Sequence, residues 1–257
     1  MHTSVSLPVG TLFAFLLVLA RVGGALVFVP LPGARSAPEP ARVILALGFT
    51  MALWGRWPAV DVDGLSMGRL VGLVAAEAAL GIAVGVALSL VLEVFALASQ
   101  VLGLQAGYAY ASTIDPNSEA DSGILLIFAQ LTAGLLFFAA GLDREVLRLF
   151  AQSLDRIPPG AYLFGPPSAE ALIHLGSSVF SVGLRLAFPV VALLVMVDVA
   201  LALLGRVNAQ LQLLTLAFPA KMLIALVVLS WVGLLFPQIL LQMSALAWTT
   251  LRRVLGL

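Results

Sequence analysis

LVGLVAAEAALGIAVGVALSLVL, Leu70 to Leu92, is the stretch whose reading decides the fold. A helix needs about 20 predominantly apolar residues to cross a bilayer, and this run satisfies that with Glu77 as its one charge. Gly81, Gly85 and Ser89 recur every fourth residue, so they share one helix face. That face lets another backbone approach closely, and helix packing is the reading of Gly81 and Gly85.

The rest of the chain repeats the theme. Of its 257 residues 61% are hydrophobic and only 10% are charged, against about 25% charged in a soluble domain. Most of the surface must therefore face lipid or other apolar protein. The sequence predicts an all-α, polytopic membrane-type helical protein. Formal net charge is zero, which leaves nucleic-acid binding without an electrostatic footing. Cysteine is absent and histidine is confined to His2 and His174, so no metal site and no cofactor are expected. No nucleophile–base pair or phosphate-cradling loop stands out, and no enzyme activity is expected.

Further spans are expected at Thr11 to Val29, interrupted by Arg21, and at Gly123 to Leu142, ending in the charged run DREVLR. Val43 to Trp54 is apolar but short, with Trp54 and Trp57 flanking Arg56 like an interfacial belt. Val94 to Ala106 reads as a separate, more polar helix, and Ser153 to Ser168 as a proline-rich loop. Leu172 to Leu204 is too long for one straight span, and Pro189 inside it predicts a kink or break. Leu213 to Phe236 is apolar up to a break at Pro237, followed by Ile239 to Leu251. About five to seven helices are expected to cross, by the span-length rule. The first helix is expected to remain uncleaved, because no Lys or Arg precedes it. Arg252 and Arg253 favour a cytoplasmic C-terminus.

Glu77, Arg185, Asp198 and Lys221 lie within apolar runs. An Arg, Lys or Asp at a bilayer centre costs roughly 2.5–3.5 kcal/mol, so such groups must be paired, snorkelling or out of the lipid. Pairing between helices is the plain reading; a relay in a proton- or ion-coupled small-molecule transporter is the alternative. Arg185 and Asp198 could meet only if the chain folds back near Pro189.

The most polar run is AYASTIDPNSEADSG, Ala109 to Gly123, with three acids and no base. Calcium binding fits poorly, because an EF-hand counted from Asp115 would put Ala120 and Leu126 where glycine and glutamate are required. A solvent loop whose acids cap the next helix is one reading. A mobile segment in a polar cavity or pore, led by the small–aromatic alternation Gly107, Tyr108, Ala109, Tyr110, Ala111, is another.

Several ordered pieces together resemble the FliR family of flagellar export-gate proteins, related to the SpaR/YscT virulence-secretion proteins. They are RVGGALVFVPLPGARSAPEPARVILAL (Arg21 to Leu47), GLQAGYAYASTIDPNSEADS (Gly103 to Ser122), Phe137–Phe138, Pro158 to Gly160, and FPVVALLVMVDVALALLGRVNAQLQ (Phe188 to Gln212). The region from Phe188 to Lys221 also resembles the small subunit FliQ, through Asn208, Gln210 and Gln212 and then Phe218, Pro219 and Lys221, with Ala220 as a departure. The resemblance implies one export-gate subunit over 1–257, with a FliP-like part (1–168) and a FliQ-like helical hairpin (169–257). It implies a bacterial inner-membrane location at the flagellar basal body, no catalytic role, and a shared channel for unfolded export substrates. The implied partners are FliP-like and FliQ-like subunits, FlhB-like and FlhA-like export proteins, and membrane lipid. It further implies that a loop plugs the channel. Here that loop is 107–122, with Gly107, Tyr108, Tyr110, Ile114, Asp115 and Pro116 as its named residues.

Overall fold

The computed structural model describes residues 8–29, 39–60, 66–108, 123–207 and 213–256. Every regular element among them is helical: α1 (Val9–Leu26), α2 (Glu39–Ala52), a short 3-10 turn (Trp54–Arg56), α3 (Met67–Ala106), α4 (Ile124–Ala139), α5 (Leu142–Arg156), α6 (Pro166–Val207), α7 (Leu213–Gly233) and α8 (Phe236–Leu255). Two compact units emerge. One comprises Met1–Leu90, Phe137–Leu175 and Ser244–Leu257; the other comprises Val91–Leu136 and Gly176–Met243.

The 70–92 stretch lies within α3, which continues through Val94 to Ala106 as one helix of 40 residues. The polar residues of its second half interrupt no backbone hydrogen bond, so there is no reason for a separate helix to begin there. α6 is likewise unbroken over 42 residues, with Pro189 inside it. Proline there forfeits one bond to the Arg185 carbonyl, and the helix continues on either side of it. By length and composition three described helices can cross a membrane, or up to five if each bent pair counts as one span. The upper figure meets the lower end of the five to seven expected from sequence; the lower figure arises because α2 has only 14 residues and two apolar runs are each divided by a bend.

The first of these bends falls at Gly141, whose φ of +70° suits a residue without a side chain. Beyond it the charged run DREVLR opens an amphipathic helix, α5. Leu142, Val146, Leu149, Phe150 and Leu154 are buried, at helical spacing. Asp143 and Glu145 occupy its first turn and Arg156 its last, matching the helix dipole. The proline-rich loop is correspondingly shorter than the sequence suggested, since Pro166 and Pro167 already belong to α6. The second break falls at Leu234 and Leu235; Pro237 sits in the first turn of α8, where its missing N–H costs nothing.

In the first unit Leu17, Val18, Leu80 and Leu251 are fully buried. Trp57 packs at a tilt against Phe15 and Trp54, and its indole N–H donates to the Thr50 carbonyl at 3.0 Å. In the second unit Phe95 packs on Phe236 with ring centroids 4.8 Å apart, and Leu102, Leu194 and Leu240 are buried.

Candidate functional site

The first unit is organised where α1 crosses α3. A Cβ added to Gly81 would overlap the Arg21 carbonyl, and one on Gly85 would overlap the Ala25 carbonyl. From the other side, a Cβ on Gly24 would sit 2.7 Å from the Ala78 carbonyl. The two backbones are therefore in direct contact, which small residues alone permit. That approach brings two charges of opposite sign to one level.

Arg21 and Glu77 are each only 1% exposed, and Arg21 Nε donates to Glu77 Oε2 at 2.5 Å. The guanidinium spends its other nitrogens on Ser153 Oγ (3.1 Å) and the Ile157 carbonyl (3.3 Å). Glu77 Oε1 accepts from the Gly160 amide at 3.0 Å. Ser153 in turn donates to the Phe150 carbonyl at 2.8 Å. One ion pair thus ties α1, α3, α5 and the loop after α5 together, and both carboxylate oxygens are satisfied. Arg21 was visible in the sequence only as an interruption of the first apolar run. Ser153 carried no signal of its own, and Gly160 was visible only as the end of the Pro158 to Gly160 piece.

The second unit holds a different arrangement. Asp198 on α6 accepts from Lys221 Nζ on α7 at 2.9 Å and from Gln105 Nε2 on α3 at 3.2 Å. The side chains are 12% exposed for Lys221 and 44% for Asp198. α3 ends three residues after Gly103 in a complete C-terminal cap. Tyr108 N–H bonds the Gly103 carbonyl (3.0 Å), Gly107 N–H bonds the Leu104 carbonyl (3.2 Å), and Gly107 takes φ +85°. The Tyr108 hydroxyl donates to the Met222 carbonyl at 3.4 Å. Burial pushes the Tyr108 phenol above its ordinary value.

Arg185 is exposed and makes no ion pair among the described residues. Thirteen residues of continuous helix separate it from Asp198, about 20 Å of rise, and the chain does not fold back at Pro189. Tyr110, Ile114, Asp115 and Pro116 lie outside the described residues. No group of three or more acidic, histidine or cysteine residues among the described ones could hold a metal ion.

Two polar clusters, one sealed and one half-open, thus lie on long apolar helices, and the sequence that carries them matches a known family. The profile of "Bacterial export proteins, family 1" covers residues 12–247. The chain belongs to the FliR family of bacterial export proteins. The flagellar biosynthetic protein FliR of Escherichia coli (strain K12) is 30% identical over 78% of this chain and 77% of its own length. The FliR of Bacillus subtilis (strain 168) is 25% identical over 95% of both chains. That of Caulobacter vibrioides (strain ATCC 19089 / CIP 103742 / CB 15) is 25% identical over 83% of this chain and 86% of its own. The matched span of the FliR family includes both clusters, as well as Gly81, Gly85 and the root of the 107–122 segment.

Proposed function

We propose that this chain is a non-enzymatic subunit of the flagellar type III export gate in the bacterial inner membrane, helping to form and close a channel for unfolded substrates. The observation that carries this reading is the family match over 12–247, joined to the surface of α6. Only 22% of its most apolar stretch is buried within the chain, against 67% for α3. Phe188, Met196, Val199 and Leu203 stand out from it. A gate built from several chains would cover such a helix with FliP-like and FliQ-like neighbours, with FlhB-like and FlhA-like proteins around them. In this reading 1–168 is the FliP-like part and 169–257 the FliQ-like part.

The segment 107–122 is the candidate plug. Support comes from its root, where the helix cap, the Tyr108–Met222 bond and the Gln105–Asp198 bond hold the point at which the chain leaves α3. A plug requires such an anchor, because a loop displaced by substrate must return to the same place.

Purification from native membranes in mild detergent tests the assembly. FliP-like and FliQ-like chains should co-purify in fixed proportion; recovery of this chain alone overturns the reading. Deleting Ala109 to Glu119 keeps the Tyr108 anchor and should raise the small-solute permeability of cells that still assemble the complex. Unchanged permeability would remove the plug role.

A further inference from the structure

In the second unit α6 turns a glycine inward and a charge outward. Gly183 backs onto α3, where an added Cβ would sit 3.2 Å from the Val94 carbonyl. Two residues of helix rotate by about 200°, so Arg185 points away from that contact, and it is exposed. The surface around it is apolar on both sides: Phe180 and Leu184 stand out before it, and Phe188, Met196 and Val199 after it. Other charges within the apolar runs are matched inside the chain, Arg21 by Glu77 and Asp198 by Lys221. Arg185 makes no ion pair among the described residues. A second polar group at the same turn lacks its usual partner. Pro189 has no N–H to give, so the Arg185 carbonyl loses its helical donor.

Lipid tails can satisfy neither group, and an arginine at that depth is costly unless it is paired. A headgroup phosphate could reach the guanidinium at the edge of an apolar surface, but Arg185 lies within one. A headgroup plane at Arg185 would leave Phe180 and Leu184 facing water. We infer that Arg185 is the contact point for a carboxylate, an aspartate or glutamate on a neighbouring protein subunit whose helix covers this face of α6. The guanidinium fork matches a carboxylate with two parallel hydrogen bonds. The apolar side chains around it exclude water from the pair. The pair in turn sets the register, because one apolar helix face can slide along another whereas a buried charge accepts only the position that meets its counter-charge. That the neighbour is another export-gate subunit rests on the function proposed above.

Cross-linking without a spacer tests the pair. Arg185→Lys keeps the positive charge and supplies an amine, which an apolar carbodiimide condenses only with a carboxylate in contact with it. In the complex purified from native membranes, this variant should become joined through position 185 to an aspartate or glutamate of a second protein. The parent, which has Lys221 but no amine at position 185, should give no such product. Co-purification is the second measurement. Arg185 makes no ion pair within the described chain, so its variants should all accumulate. Partners should be recovered at the parental level with Arg185→Lys, several-fold less with Arg185→Met, and least with Arg185→Glu, whose charge opposes the carboxylate. Coupling to a lipid, coupling to an acid of this same chain, or no coupling in a complex that stays together overturns the inference. So does parental recovery of the partners with both Arg185→Met and Arg185→Glu. Absence of partners from the unsubstituted complex is a different result and counts against the proposed function instead.

Discussion

Arg21–Glu77 and Lys221–Asp198 are both ion pairs between apolar helices, yet they are built to different specifications. The first is sealed: Arg21 and Glu77 bond each other, and their remaining side-chain nitrogens and oxygen bond Ser153 of α5 and the backbone of the following loop. The second leaves a carboxylate 44% exposed and shares it between a lysine and a glutamine. Backbone contact explains the difference. Glycines at 24, 81 and 85 let α1 and α3 close on each other until water has no room between Arg21 and Glu77. The lesson is that in such a chain the small residues, more than the charges, decide whether an ion pair becomes a fixed joint or an adjustable one.

The sharpest way to break the comparison is to remove one partner of the sealed pair. Glu77→Ala leaves a guanidinium buried without its counter-charge and the Gly160 amide without an acceptor. Breaking a buried pair in this way typically costs about 3–5 kcal/mol. The chain should fail to accumulate in membranes, or lose its folded peak in detergent well below the unfolding temperature of the parent. A variant that melts within a degree of the parent would mean that the joint is not sealed.

A smaller effect is expected at the glycines that make the seal. Gly81→Ala places a methyl against the Arg21 carbonyl, a backbone atom that cannot turn aside. Overpacking of this kind costs about 1–3 kcal/mol. Gly72, on the same helix, has nothing within reach of an added Cβ. Gly72→Ala should therefore stabilise, by up to about 1 kcal/mol from helix propensity. Opposite signs in paired thermal melts are the test; equal signs would detach the ion pair from the close approach.

Much of this was legible in the residues themselves. The apolar runs announced an all-helical membrane protein, and the spacing of Gly81 and Gly85 announced a face for close packing. Glu77 was visible as a charge in the wrong place. Its partner was not, because Arg21 lies 56 positions away and no periodicity links two different helices. Asp198 and Lys221 were equally visible and equally unpaired on paper. The amphipathic spacing of α5 was present in LDREVLRLFAQSLDR, but its charges read as the end of a span rather than the start of a helix. Pro237 pointed to a real break, at Leu234 and Leu235, whereas Pro189 lies inside a continuous helix. An interior proline loses one helix bond and crowds the carbonyl four residues back, which disfavours a helix without forbidding it.

The least effect is expected at the open pair, and its size reports what surrounds it. Asp198→Asn leaves the Lys221 ammonium with only an amide oxygen in place of a carboxylate. If the open side of Asp198 meets water or a polar neighbour, the cost should stay below about 1 kcal/mol and shrink with added salt. Lys221→Met should cost less still, because the apolar stem is kept and the half-exposed carboxylate retains Gln105. If the open side faces lipid, the ranking reverses. An unpaired carboxylate at membrane depth costs roughly 2.5–3.5 kcal/mol, so Lys221→Met would become the more damaging change. Melting both variants in detergent at two salt concentrations decides between these surroundings, and only the first is compatible with an adjustable joint at the root of the proposed plug.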